Sequence, residues 1–146
     1  MSGWTMRRGA GALAVAAVLA AGGVEAASPI PDGDWLGAID VRGPAGNRKV
    51  RTSLELGNGP VQTGGLRFHA PYDCDIDVEF VEGEGGRALY NVTETTATGF
   101  CRNYDGGALE LTLAGGNASE TVDLRLETAD RDPERTQTGT LAHDRD

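Results

Sequence analysis

From Trp35 onward, apolar residues recur at every second position, and clusters of Gly, Asn and Asp interrupt them at intervals of about 8 to 14 residues. That spacing predicts half-buried β-strands joined by tight turns, and no stretch after residue 26 carries a helical period. A first strand has Trp35, Ile39 and Val41 on one side with Gly37 between them. Val50, Leu54 and Leu56 alternate with Arg51, Ser53 and Glu55 in a second, and Leu66, Phe68 and Ala70 with Arg67 and His69 in a third. The fourth is the most regular: Cys74, Ile76, Val78 and Phe80 face one way, Asp73, Asp75, Asp77 and Glu79 the other. A fifth runs from Arg87 to about Glu94 with Tyr90 and Val92 inward, and Phe100 and Cys101 read as a short sixth. Leu109, Leu111 and Leu113 mark a seventh, Val122, Leu124 and Leu126 an eighth, and residues Thr138 to Ala142 a last strand able to close the sheet.

The turn residues agree with this. Glu82-Gly83-Glu84-Gly85-Gly86, Asp105-Gly106-Gly107 and Gly115-Gly116-Asn117 tolerate the positive φ of tight hairpins. Residues 129–135 are charged and contain Pro133, which predicts an exposed loop, and His143 to Asp146 reads as a polar tail. Each strand is one-sided and needs a facing layer. The expectation is an all-β fold: a small antiparallel β-barrel or closed sandwich of 8–9 short strands, in which closure removes edges that invite aggregation.

Residues 1–26 do not fit this pattern. Arg7 and Arg8 precede an apolar run from Ala10 to Ala21, and Val24-Glu25-Ala26 places small residues where a signal peptidase would cut. The run is shorter than the roughly 20 residues of a membrane span, so a signal peptide with cleavage after Ala26 is expected, followed by one domain over 27–146. Export of this kind leads to the periplasm or the medium of a bacterium. Two cysteines in such an oxidising compartment normally pair, which makes Cys74–Cys101 the expected disulfide. The Asn91-Val92-Thr93 and Asn117-Ala118-Ser119 triplets match a glycosylation pattern, which an alanine-rich bacterial leader makes coincidental.

Charge narrows the partner. The formal net charge of the 146 residues is −9, and removing residues 1–26 takes two arginines and one glutamate away, leaving −10. Nucleic acid and anionic lipid both require a cationic surface, so neither is an expected partner. The carboxylates of Asp73, Asp75, Asp77 and Glu79 would stand in a line at roughly 6.6 Å intervals, inside a Debye length of about 8–10 Å. A solvated outer face, a docking stripe for a cationic protein and a calcium site are the three readings of that line. Calcium prefers six to eight oxygens converging on a point, and the segment lacks the glycine and distal glutamate of a helix-flanked calcium loop.

Catalytic material is scarce. His69 and His143 are far apart in sequence, and Ser28, Ser53 and Ser119 are the serines after residue 26, none in a Gly-x-Ser-x-Gly setting. Paired-carboxylate hydrolysis needs a raised pKa in a deep cleft, which is hard to build at this size. No cofactor, no metal and no enzymatic activity are expected.

The order of Gly33-x-Trp35-x-Gly37, Leu54-Glu55-Leu56, Gly65 through Phe68 and Pro71 to Cys74, Tyr90 with Glu94, Cys101, Gly106-Gly107 with Leu109 and Leu111, and Thr138-Gly139-Thr140-Leu141 resembles an uncharacterised family of small secreted bacterial all-β domains. The family's glycine two positions beyond the first cysteine is replaced here by Ile76. The Gly-x-Trp opening is also similar to that of lipocalin-like barrels, in which the tryptophan plugs one end, and the architecture to protease-inhibitor barrels, which combine an exported chain, Gly-x-Trp and one disulfide. The resemblance implies a barrel and transfers no catalytic residues.

Two functions from different classes follow. The first is an exported binding protein that sequesters or inhibits a basic protein partner, as a hydrolase inhibitor or an immunity-type protein would, with Asp73, Asp75, Asp77 and Glu79 at the contact. The second is a carrier of a small apolar ligand in a cavity lined by Trp35, Tyr90, Leu111 and Leu124.

Overall fold

The alternating segments form eight antiparallel strands, each paired with its neighbours in sequence. They are β1 Gly33–Gly43, β2 Gly46–Gly57, β3 Thr63–Phe68, β4 Cys74–Glu84, β5 Arg87–Thr95, β6 Ala108–Leu113, β7 Thr121–Glu127 and β8 Gln137–Asp144. β8 pairs with β7 on one side and with β1 on the other, so the sheet closes into a barrel. The structure, a computed structural model, describes residues 27–43, 46–57, 59–115 and 120–144. The expected signal peptide, the Gly116-Asn117 turn residues, the Asn117-Ala118-Ser119 triplet and Arg145-Asp146 lie outside the described residues.

Alternation sends one side chain of each pair inward. Trp35, Ile39, Leu54, Leu66, Phe68, Ile76, Tyr90, Leu109, Leu111, Leu124 and Leu141 join a single buried cluster. Full burial of side chains of this size is worth about 1.5–3 kcal/mol each. Where β1 and β8 close the barrel they approach more tightly than ordinary side chains permit. A Cβ at Gly37 would lie 2.3 Å from the Thr140 carbonyl oxygen, and one at Gly139 would lie 2.6 Å from that of Ala38.

Four expectations are corrected. Phe100 and Cys101 are not a sixth strand but the start of a 3₁₀ turn over Phe100–Tyr104, entered at Gly99 with φ +84°. This turn lies across one mouth of the barrel, where Cys101 bonds to Cys74 at the start of β4 with a Cα–Cα separation of 6.0 Å. β3 ends at Phe68, because Pro71 has no N–H and the His69 carbonyl instead accepts from the amides of Tyr72 and Asp73. Asp73 is therefore a turn residue with φ +45°, not a member of the β4 outer face. His143 is no tail residue: β8 runs through it to Asp144, and its ring lies tilted against Trp35 with centroids 4.5 Å apart. The charged loop of residues 129–135 is exposed at most positions and contains a short 3₁₀ turn over Pro133–Arg135.

Both mouths carry cover. At the disulfide end, Phe100 stacks on Tyr72 and meets Phe68 edge-on, with Tyr104 beside it. The Tyr104 hydroxyl donates to the Arg135 carbonyl at 2.7 Å and accepts from the buried Gln137 amide at 2.9 Å. At the opposite end, residues 27–32 cross the opening as a strap. Ile30 enters the core, the Trp35 indole donates to the Pro31 carbonyl at 3.2 Å, and the His143 Nε2 lies 3.1 Å from the Asp32 carbonyl oxygen. The Gln62 amide donates to the Ile30 carbonyl at 2.9 Å and to the Asp32 carboxylate at 2.7 Å. Tyr90 completes this network from below, donating to the Gln62 side-chain oxygen and accepting from Ser28.

Two predictions follow from these covers. Closing a loop of about 28 residues is worth roughly 3–4 kcal/mol in the chain-entropy account, so the Cys74→Ser/Cys101→Ser protein should lose about that much in urea denaturation. Burial pushes the Tyr90 phenol up to about 12 from its ordinary value near 10, against a smaller opposing effect of the Ser28 hydrogen bond. Below pH 10 the phenol is protonated in both states. Between about pH 10 and 12 the unfolded chain releases the proton first, so stability falls as pH rises through that window, by as much as about 2–3 kcal/mol. Urea midpoints measured across it should fall more steeply for the wild type than for Tyr90→Phe, whose own cost of about 1–2 kcal/mol appears at all pH values.

Candidate binding surface

The outward positions of β4 are Asp75, Asp77 and Glu79, all exposed, while Cys74, Ile76 and Val78 are buried. This much of the predicted line is present. Its charges are not equivalent, however. Arg67, directly across from Asp75 on β3, donates to both of its carboxylate oxygens at 2.9 and 3.1 Å. Asp77 lies opposite Gly65 and Glu79 opposite Thr63, neither of which carries a charge.

Register builds a second line at right angles to the first. Asp144 on β8 pairs with Asp34 on β1, Asp34 with Glu55 on β2, and Glu55 with Gly65 on β3. Gly65 pairs with Asp77 on β4, and Asp77 with Glu94 on β5. Six adjacent strands thus contribute five exposed carboxylates and one glycine to a single row. Adjacent strands are about 4.8 Å apart, so charges on adjacent strands of the row lie well within a Debye length of about 8 Å, whereas Gly65 sets Glu55 and Asp77 two strand spacings apart. Among the described residues no arginine, lysine or histidine forms an ion pair with Asp34, Glu55, Asp77 or Glu94. Like charges directly opposite one another on a sheet are destabilising.

Gly65 leaves a gap in the row. Two shallow clefts of about 720 and 620 Å³ meet there and share Glu55, Gly65 and Asp77 as walls. The second also reaches Asp34, Leu36 and Asp144, and Leu36 is 45% exposed. A lysine or arginine side chain laid over Gly65 would have a carboxylate on either hand.

Elsewhere the wall is balanced. On β5, β6 and β7, Arg87 pairs with Glu110 and Arg125 with Glu127, and Thr140 of β8 donates to Asp123 of β7 at 2.9 Å. Exposed Arg42, Arg48, Lys49 and Arg51 lie toward the β1–β2 hairpin, and Lys49 pairs with Asp40. The strap mouth has the opposite character, with Asp32, Asp34, Glu55, Glu79, Glu82 and Glu84 around it.

Trp35, Tyr90, Leu111 and Leu124, expected to line a ligand cavity, are 0–2% exposed and packed within the core cluster. His69 is half-buried with its Nε2 at 3.4 Å from Ser53 Oγ, at the opposite end of the barrel from His143. Among the described residues no group of three or more His, Cys, Asp or Glu is arranged to hold a metal ion. No helix among them is long and apolar enough to cross a membrane.

No family model, no curated protein and no solved structure matches this chain.

The row predicts its own cost. Asp34→Asn should raise stability by about 0.3–1 kcal/mol at low salt, because it removes repulsion across two strand pairs, and Glu55→Gln by less, because its other partner is Gly65. The gain should vanish near 1 M NaCl, where the Debye length is about 3 Å. Glu110→Gln, which removes the partner of Arg87, should show no such gain.

Proposed function

We propose that the chain is an exported, non-enzymatic binding protein that holds a basic protein partner on the acidic wall of β8, β1, β2, β3 and β4. Sequestration or inhibition of that partner, in the manner of a hydrolase inhibitor or an immunity-type protein, is the role such a surface suits. The carrying observation is the row of exposed carboxylates laid side by side by register at a stability cost, in which Asp34, Glu55, Asp77 and Glu94 form no ion pair among the described residues. A surface that repels itself is relieved when a cationic one covers it, and its field raises the encounter rate.

Export is supported by the leader-like residues 1–26 and by the pairing of both cysteines, which suits the periplasm or the medium. The row shifts the expected contact. Asp77 stays central, Glu79 lies beside it on a cleft wall, and Asp73 lies in a turn at the other end of β4. Glu55, Asp34 and Asp144 join them, and Glu94 extends the row onto β5. The carrier alternative has no observation of its own: Trp35, Tyr90, Leu111 and Leu124 are buried members of the core cluster.

The test is capture of partners from the native envelope or medium with the disulfide-bonded protein, followed by association kinetics on the basic protein retained. The association rate should fall at least tenfold between 50 and 500 mM NaCl while the dissociation rate changes little. Glu55→Gln/Asp77→Asn should slow association several-fold. Asp75→Asn should have a smaller effect, because Arg67 already faces that carboxylate. Rates indifferent to salt and to the double variant would refute the reading.

A further inference from the structure

The strap mouth holds a cleft of about 700 Å³ between residues 27–32, residues 59–62 and the far end of β4. Its character differs from that of the row. The pairing of β4 with β5 passes from Phe80↔Tyr90 to Glu82↔Leu89, so Val81 is the extra residue of a β-bulge. Bulges re-aim a side chain that regular pleating would place elsewhere, and Val81 is 46% exposed on the cleft wall. Val61, 37% exposed, comes from the β2–β3 connection, which the Phe80 amide fastens by donating to the Gln62 carbonyl at 2.9 Å. Val61, Val81 and Leu36 are the exposed large hydrophobic residues among those described, and two of them share this cleft. Half-buried Phe80 and exposed Pro31 add to its apolar lining, and Asp32 and Glu82 supply its carboxylates.

The cleft adjoins the acidic wall along the chain itself: Thr63 and Glu79 wall the neighbouring cleft, one residue from Gln62 and Phe80 here. An occupant must therefore combine an apolar group with positive charge. We infer that this mouth cleft is the anchoring pocket for an extended segment of the basic partner, taking an apolar side chain against Val61, Val81 and Phe80 with a flanking lysine or arginine between Asp32 and Glu82. The inference rests on the proposed binding role and adds its division of labour. The row governs approach and the cleft governs residence, since desolvated apolar anchors act mainly on the dissociation rate.

Two synthetic decapeptides test it by fluorescence anisotropy at 150 mM NaCl, one alternating lysine with leucine and one alternating lysine with serine. The protein is purified in its exported form from cells expressing the full chain. The lysine–leucine peptide should bind about tenfold tighter, as burial of one apolar side chain allows. Val61→Ser/Val81→Ser should shrink that gap to less than twofold while leaving the lysine–serine affinity unchanged, and Val81→Thr, which keeps the shape, should shrink it partially. Both valines are exposed, so their replacement leaves the core intact. Glu55→Gln/Asp77→Asn should weaken both peptides alike. Equal affinities for the two peptides, or a gap unaltered in the valine variants, would overturn the anchor and leave the acidic wall standing. Binding of neither peptide would overturn both. A concentration-dependent dimer that Val81→Ser dissociates would give the cleft to a second copy of the chain and also overturn the inference.

Discussion

β1 hydrogen-bonds to β2 along one edge and to β8 along the other, and this closure is the constraint from which the remaining structure follows. With no free edge, every inward side chain points to one interior, and every outward side chain has fixed neighbours on two strands. Closure demands near contact of β1 and β8 backbones at Gly37 and Gly139, where larger residues would collide with carbonyl oxygens. It also leaves two open mouths. The disulfide-tied 3₁₀ turn covers one and the strap fastened by Gln62, Trp35 and His143 covers the other.

The same closure turns a dispersed set of acids into a surface. Asp34, Glu55, Asp77, Glu94 and Asp144 come from five strands and carry no common motif. Pairing sets them side by side, and Gly65 interrupts them with a gap rather than a neutralising side chain. Arginines do occur on this barrel, and most have acidic neighbours on the balanced wall or stand toward the far hairpin. The concentration of acidic charge in this row is thus a property of register. It opposes folding by repulsion, and the buried cluster around Trp35 and Tyr90 outweighs it.

Much of the barrel was legible because period-two alternation is a local property. Cys74 through Val78 alternate residue by residue between core and solvent as the pattern predicts, and the two cysteines pair as the expectation of an oxidising compartment had them. Legibility failed where a tertiary partner overrides local pattern. Phe100 and Cys101 look like strand residues because both are apolar, yet their burial comes from Tyr72, Phe68 and the disulfide across a mouth. His143 looks like tail until Trp35 lies beneath it. The along-strand acids were readable and the cross-strand row was not, since no window of sequence contains both Asp34 and Asp144. Val81 would have passed for an ordinary strand residue, because a bulge shows only when the partner strand is known.

The central claim is that cross-strand register makes β8 through β4 the face that meets a basic partner. Backbone amide chemical shifts of the isotope-labelled protein, followed by NMR while decalysine is added at low salt, test it most directly. The claim predicts that the largest shifts fall on Asp34, Glu55, Gly65 and Asp77 and that β6 and β7 stay still. Shifts spread evenly around the barrel, or centred on Glu110 and Asp123, would contradict it.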